Sequence, residues 1–549
     1  MSPRRNVFAP AIVALIMCIT IVCQGQPQTL LTRHTRDVVL NAQAPLVGRL
    51  PANQLMLIDI VLALREPAGL ERFLKDVYNP ASPSYRKFLT VKQFAARFGP
   101  SQEDYDALVR CAEASGFKVV GGSRNAMDLQ IRGSVADIET AFHVTMGLYH
   151  DFIENRDFYA ADREPTVDLP FRLWHISGLD NYSIPRPALV RRSPGARSAA
   201  TTGSCPEQSF CGSDMRAAYY EGKKLTGKGQ NIGLLEFAGF DIADVNTYYK
   251  NAKQKRTAAV KGVSVDGTNI NCYYDQGCDD TVQTVDITQA LGMAPGVTTV
   301  YMFVGSSETA LLGAMSSYSP LPLNLSTSWY WSPPDPSTDD PYFMKMASQG
   351  QSFFAAAGTA EQWQSGHPWP AESDYVIGVG GTELTTKGPG QGWASEVVMT
   401  GAGGGISPDK IPIPSWQKLK GVITKKNKGS KVYRNGPDVT ANAGFSFYVC
   451  ADRMGCTANQ YGGTAFSSPM WAGYLALANE QAAANGDQPP GFIDPTIYPL
   501  GLGKGYHADF HDITVGNNGY FPATKGYDLA SGWGSPNKDG LINALAGSR

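Results

Sequence analysis

Charge is scarce in this chain. Charged residues make up 17% of its 549 positions and the formal net charge is −2, against a usual share of about 25%. That balance gives no reason to expect nucleic acid or an anionic membrane surface as a partner. Histidine is also sparse. After residue 204 only His367, His507 and His511 remain, and none stands in a recognisable Ser-His-Asp arrangement. The N-terminal apolar run at 9–22 is short for a membrane anchor. With Arg4 and Arg5 before it, it reads as a signal peptide occupying 1–25. This implies a secreted protein with no membrane association once the signal is removed.

Cysteine use agrees with export. Of nine cysteines, two fall in the signal peptide and one, Cys111, stands alone. The other six form three pairs of equal spacing: Cys205 and Cys211, Cys272 and Cys278, Cys450 and Cys456. Each pair could close a small loop in an oxidising compartment. Zinc is a weaker explanation, because the spacing exceeds the usual run of about two to four residues between ligands. Pairing between neighbours is the simplest connectivity, though sequence leaves the others open.

The length suggests two or three domains. Residues 26–184 read as one α+β unit. Within it, strands are expected at 55–64, 117–120, 127–132 and 144–149. Helices are expected at 69–78, 102–115 and 134–142, and a capping-box helix starts at Thr90. That order is a ferredoxin-like split βαβ pattern. Residues 185–204 read as a flexible, basic, exposed linker. From 205 to 549 strands alternate with helices, which predicts a mostly parallel sheet flanked by helices.

One stretch organises that second unit: Tyr461-Gly462-Gly463-Thr464-Ala465-Phe466-Ser467-Ser468-Pro469. Two glycines allow a tight turn, and Pro469 is tolerated only near a helix start. Residue 465 therefore lies at a helix N-terminus, where free N–H groups could hold an oxyanion. The stretch resembles the serine turn of the sedolisins, the serine-carboxyl peptidases, in which Gly-Gly-Thr is followed by Ser. Pro83-Ser84-Tyr85-Arg86-Lys87-Phe88-Leu89-Thr90 and Gln93-Phe94-Ala95-Ala96-Arg97-Phe98-Gly99 resemble the propeptide of kumamolisin-type precursors in that family. The resemblance continues through Gly378-Val379-Gly380-Gly381-Thr382, Gly403-Gly404-Gly405-Ile406-Ser407 and Pro437-Asp438-Val439-Thr440-Ala441. It implies a subtilisin-like fold, and it implies that the propeptide domain is a partner in cis.

The resemblance also places a Glu-Asp-Ser triad and an oxyanion-binding Asp. Carried over position by position, the serine is Ala465, the triad Asp is Asp286, the Glu is Val282 and the oxyanion Asp is Thr359. Only Asp286 keeps its family identity. Glu and Asp one turn apart on a helix would share a face, with Glu as general base and Asp orienting it. A threonine hydroxyl can still donate a hydrogen bond, but a methyl group cannot attack a carbonyl. Asp279 and Asp280 are better explained as helix capping than as substitutes for the missing Glu. Ser467 and Ser468 point away from where Ala465 points and are better explained by packing and capping.

Near the C-terminus, Phe510-His511-Asp512-Ile513-Thr514-Val515-Gly516-Asn517-Asn518-Gly519 and Thr524-Lys525-Gly526-Tyr527-Asp528 resemble the family's calcium site. Calcium takes six or more oxygens, mixing carboxylates with backbone carbonyls on a bent loop. Asp512 and Asp528 would give carboxylates, and Ile513, Thr524 and Gly526 carbonyls, to a structural Ca2+. The alternative is a turn held by Asp side chains. The sequence therefore predicts a secreted sedolisin-type precursor with lost peptidase chemistry, whose old substrate groove binds peptides or proteins. Two other functions compete with it: a working acid endopeptidase with a rearranged site, and an extracellular scaffold whose groove is filled.

Overall fold

The computed structural model describes residues 25–193 and 201–547. The expected signal peptide lies outside those residues except for Gly25, and so does the middle of the expected linker at 194–200.

The larger unit is built on one eight-stranded sheet. Its strands run side by side in the order Ala259–Ser264, Thr299–Val304, Asn231–Glu236, Asn324–Thr327, Ser352–Ala356, Ile377–Thr386 and Trp393–Val398, and Val439–Asn442 also joins Ile377–Thr386. Every pairing is parallel except the one to Trp393–Val398. Helices cover both faces, so the central strands are buried throughout and read as unbroken apolar runs rather than alternating ones. Two of the covering helices, Thr281–Met293 and Ser467–Asn485, are themselves largely buried. They approach closely at Gly473, where a Cβ would meet the Ala290 carbonyl oxygen at 2.7 Å and the Met293 Cβ at 2.8 Å. Any larger residue there would push the helices apart.

The N-terminal unit carries a four-stranded antiparallel sheet in the order Lys118–Ser123, Asp128–Ser134, Leu55–Leu62, Leu173–Ser177. Helices Pro67–Val77, Val91–Arg97, Gln102–Ala114 and Val135–Phe142 accompany it. The capping box at Thr90 and Gln93 is present, and Ser134 caps the last of these helices through Asp137. One expectation fails here. The strand expected at 144–149 does not complete this sheet. It runs Met146–Asp151 and pairs instead with Leu46–Arg49 and Arg156–Ala161. The short turn after Asp151 makes the local hairpin cheap in loop entropy, and Leu173–Ser177 takes the vacant edge.

The two units dock through specific polar contacts. The Tyr78 hydroxyl donates to the Ala347 carbonyl at 2.7 Å and accepts from the Phe492 N–H at 2.8 Å. Thr309 donates to the Asp59 carboxylate at 2.5 Å. The three cysteine pairs are closed as Cys205–Cys211, Cys272–Cys278 and Cys450–Cys456. Cys111 does not stand alone as expected; it is disulfide-bonded.

Candidate active-site groove

The motif folds as its glycines require. Gly463 has φ of +109°, a left-handed conformation that disfavours any side chain. The helix opens at Ser467 with Pro469 in its first turn, where proline costs no hydrogen bond. Ala465 therefore sits just before the helix, fully buried. Thr464 accepts a hydrogen bond from the Gly358 N–H at 2.9 Å, tying the motif to the loop that carries Thr359. The Thr359 N–H itself is taken by the Gln362 side chain at 2.7 Å.

A stretch expected to be a loose linker occupies the space in front of Ala465. Arg186–Pro187 pairs antiparallel with Trp329–Tyr330, and Val190–Arg191 pairs antiparallel with Tyr461–Gly462. Between them the Ala188 N–H donates to the Ser328 carbonyl at 2.7 Å, and the Ala188 carbonyl accepts from the Ala465 N–H at 3.1 Å. The segment thus lies in the groove as an extended peptide. Its Ala188 carbonyl occupies the spot an oxyanion donor would address. The expectation of a flexible linker is corrected for 186–192, where strand pairing at both ends satisfies the backbone, while Arg186, Pro187, Val190 and Arg191 are exposed as expected and only Ala188 is buried. The walls of this groove are apolar at the positions that matter. Ala188, Val282, Trp329, Ala356 and Ala465 form one buried cluster, with Leu189, Phe237 and Tyr330 against it.

Below that cluster lies a buried acid pair. Asp286 and Glu236 share a hydrogen bond. Trp329 Nε1 donates to Glu236 at 2.8 Å, and Ser328 Oγ lies 2.5 Å from Asp286 Oδ1 and 3.0 Å from the Ala465 carbonyl oxygen. Burial raises both carboxyls far above their usual range, Asp286 to about 8 despite hydrogen bonds from Ser328 and Glu236. Two carboxyls in one dry site hold a proton between them. Sequence reasoning overlooked Glu236 and Ser328. For Glu236 the signal was available: it is a charged residue closing the mostly apolar strand Asn231–Glu236, whereas Ser328 follows the polar strand Asn324–Thr327 and carries no such mark.

The other candidates fall elsewhere. Asp279 caps its own turn by accepting the Thr281 N–H at 2.9 Å. Asp280 does not cap its own helix; it accepts the backbone N–H groups of Asp241 and Asp452 at 2.9 and 3.0 Å. Ser467 donates back to the Thr464 carbonyl at 2.9 Å, and Ser468 meets Ser326 at 2.8 Å. His367 pairs with Asp409 at 2.7 Å, and His511 stacks on Trp393 with ring centres 4.1 Å apart. At the C-terminal loop the Asp528 carboxylate accepts N–H groups from Thr524, Ala530 and Ser531 at 2.7 to 2.9 Å. Asp512 accepts from Tyr506 at 3.0 Å and Gly526 at 3.1 Å. Among the described residues, no hydrogen bond reaches the carbonyl oxygens of Ile513, Thr524 or Gly526. No helix among the described residues is long and apolar enough to cross a membrane.

Residues 42–181 match the family model described as the pro-kumamolisin activation domain. The chain is 28% identical to kumamolisin of Bacillus sp. (strain MN-32), covering 91% of this chain and 93% of that one. It is 24% identical to sedolisin of Pseudomonas sp. (strain 101), covering 91% of this chain and 88% of that one. Among solved structures it is similar to Pseudomonas sedolisin, a serine-carboxyl proteinase complexed with two molecules of pseudo-iodotyrostatin. The TM-score is 0.51 at 23% identity, covering 64% of this chain and 98% of that one. At that identity the likeness speaks for the fold. The chain thus carries a pro-kumamolisin-type activation domain in cis to a body with the sedolisin fold, and over most of its length it is similar to kumamolisin and sedolisin.

Proposed function

We propose that this precursor is a secreted pseudopeptidase whose groove binds extended peptide without cutting it. The observation that carries this is the contact between Ala465 and Ala188. The amide donor of a nucleophile position addresses a peptide carbonyl, yet the side chain beside it is a methyl group in an apolar cluster with Val282. Loss of the serine in a comparable triad costs roughly a millionfold in turnover. Thr359 in place of an acid removes a further donor of the family's kind. The test is hydrolysis of an acid-unfolded protein by the full chain across pH 3 to 7. Turnover is expected at the level of a blank.

A working acid endopeptidase is favoured by one feature, the 2.5 Å contact between Ser328 Oγ and Asp286. Ser328 is fully buried beneath the peptide segment, so it would have to become exposed before attacking anything. Turnover that disappears in Ser328→Ala would replace the pseudopeptidase proposal with this one.

Calcium fits the C-terminal loop. Asp528 is buried and burial raises it to about 7. Three carbonyls in the same loop have no hydrogen-bond partner among the described residues. Carboxylate and carbonyl oxygens without a countercharge suit a hard divalent ion. Asp512, Ile513, Thr524, Gly526 and Asp528 would hold it, and its role would be to keep the loop folded. Export is supported by the N-terminal pattern of residues 1–25 and by the disulfides.

A further inference from the structure

We propose that the far half of the groove, beyond Ala188, selects basic side chains, so that its ligand is an extended peptide with an arginine pair three and four residues after the one on Ala465. This rests on the proposal above that the groove binds peptide. It adds which peptide.

The chain's own segment supplies the evidence. Arg191 lies over the Tyr461 ring at 5.7 Å from its centre, and Arg192 lies over the Phe445 ring at 5.0 Å. Backbone pairing holds both in place: Arg191 is paired opposite Tyr461, and the Arg192 N–H donates to the Gln460 carbonyl at 2.7 Å. The Arg192 guanidinium reaches the Phe445 carbonyl at 3.4 Å. Both rings are only half-buried, so each presents a face to the occupant. A guanidinium stacked on an aromatic face is favoured over any neutral side chain of similar length.

The surroundings share this bias. Asp452 feels the charge of Arg191, and Asp279, Asp280 and Asp244 lie close to it. Arg453, the cation on that same loop, is already engaged by Asp241 at 2.5 Å. Backbone pairing fixes the strand and the rings choose among side chains, which is how strand-adding grooves divide affinity from specificity.

The test uses the full chain with its segment dislodged. Ala188→Asp puts an unpaired charge into the apolar cluster and ejects the segment; Arg191→Gln and Arg192→Gln weaken its return. Fluorescently labelled Arg-Pro-Ala-Leu-Val-Arg-Arg is then compared with Arg-Pro-Ala-Leu-Val-Gln-Gln by anisotropy. The arginine peptide is expected to bind about tenfold tighter. The gap should close when Tyr461→Leu and Phe445→Leu are added, and narrow in ~0.5 M salt. Equal binding of both peptides would overturn basic selectivity and leave the groove proposal standing. Binding of neither would overturn both. A second measurement needs no added peptide: amide exchange across 188–192 in Arg191→Gln/Arg192→Gln against the unaltered chain. Exchange about tenfold faster is expected; unchanged exchange would sink the proposal.

Discussion

The amide of Ala465 reaches the Ala188 carbonyl at 3.1 Å, while Val282 stands in the same apolar cluster and Asp286 lies beneath it with Glu236. Restoring a hydroxyl alone should therefore achieve little. In Ala465→Ser the new Oγ would face hydrocarbon at Val282, with no base to take its proton. Mass spectrometry of Ala465→Ser after days at pH 4 is expected to show an intact chain. Adding Val282→Glu and Thr359→Asp supplies a base and an oxyanion acid. The triple variant is expected to cut itself between Ala188 and Leu189, because that is the bond whose carbonyl already sits on the Ala465 N–H. Cleavage elsewhere would mean that the position of the segment has been misassigned. Ser328 adds a further expectation. Ser328→Ala leaves Asp286 and the Ala465 carbonyl without their shared partner, a buried loss worth about 1–3 kcal/mol. It should lower the denaturation midpoint and leave blank-level hydrolysis unchanged.

Two elements decide what the groove contains. The Tyr461–Gly462 strand accepts the Val190–Arg191 strand only because Gly463 has no side chain. A Cβ there would meet the Ala188 carbonyl oxygen at 2.5 Å and the Val190 nitrogen at 3.2 Å, at a φ of +109°. Gly463→Ala is expected to displace the segment, raising amide exchange at 188–191 while leaving exchange in the helix Ser467–Asn485 unchanged. The C-terminal loop is the second element. Calcium near a hundredfold its dissociation constant would add about 2.7 kcal/mol to stability. A chelator should lower the melting point of the full chain, and Asp528→Asn should remove the difference. No effect of chelator on the unaltered chain would dismiss the ion. Much of this was legible in the sequence, because unbroken apolar strands, Gly-Gly turns and capping residues act locally. The parallel sheet, the helix start at the motif and the capping box at Thr90 all follow from such patterns. Two things did not follow. The course of 186–192 depends on strand edges more than 100 residues away in sequence, at Trp329–Tyr330 and Tyr461–Gly462. The Glu236–Asp286 pair joins a strand end to a helix interior, and no local period marks such a meeting.

Among the described residues, buried acids outnumber the bases that could offset them. Burial raises Asp280 and Asp340 to about 7, Asp374 to about 6, Asp286 to about 8 and Glu372 to about 9. In the unfolded chain such groups titrate near 4. Between about pH 4 and those raised values the folded state holds protons that the unfolded state has released, so stability falls as pH rises through that window. Opposing groups are fewer. Burial lowers His511 to about 4, which favours higher pH only up to its unfolded value near 6.5, and it lowers Lys345 to about 7, which acts only above that pH. Glu164 is pushed up by burial but held at about 2 by hydrogen bonds from His34 and Thr35. Its contribution is lost only as pH falls below about 4. These opposing slopes leave a maximum on the acid side of neutrality. The melting point of the full chain is therefore expected to be higher at pH 4.5 than at pH 8, by about 5 °C or more. Asp286→Asn, which removes one of the raised acids while keeping an amide that can bond to Ser328, should flatten that dependence. A melting point that rises steadily from pH 4.5 to 8 would show that these carboxyls reach water in the folded protein, and the dry acid pair beneath Ala465 would have to be abandoned with them.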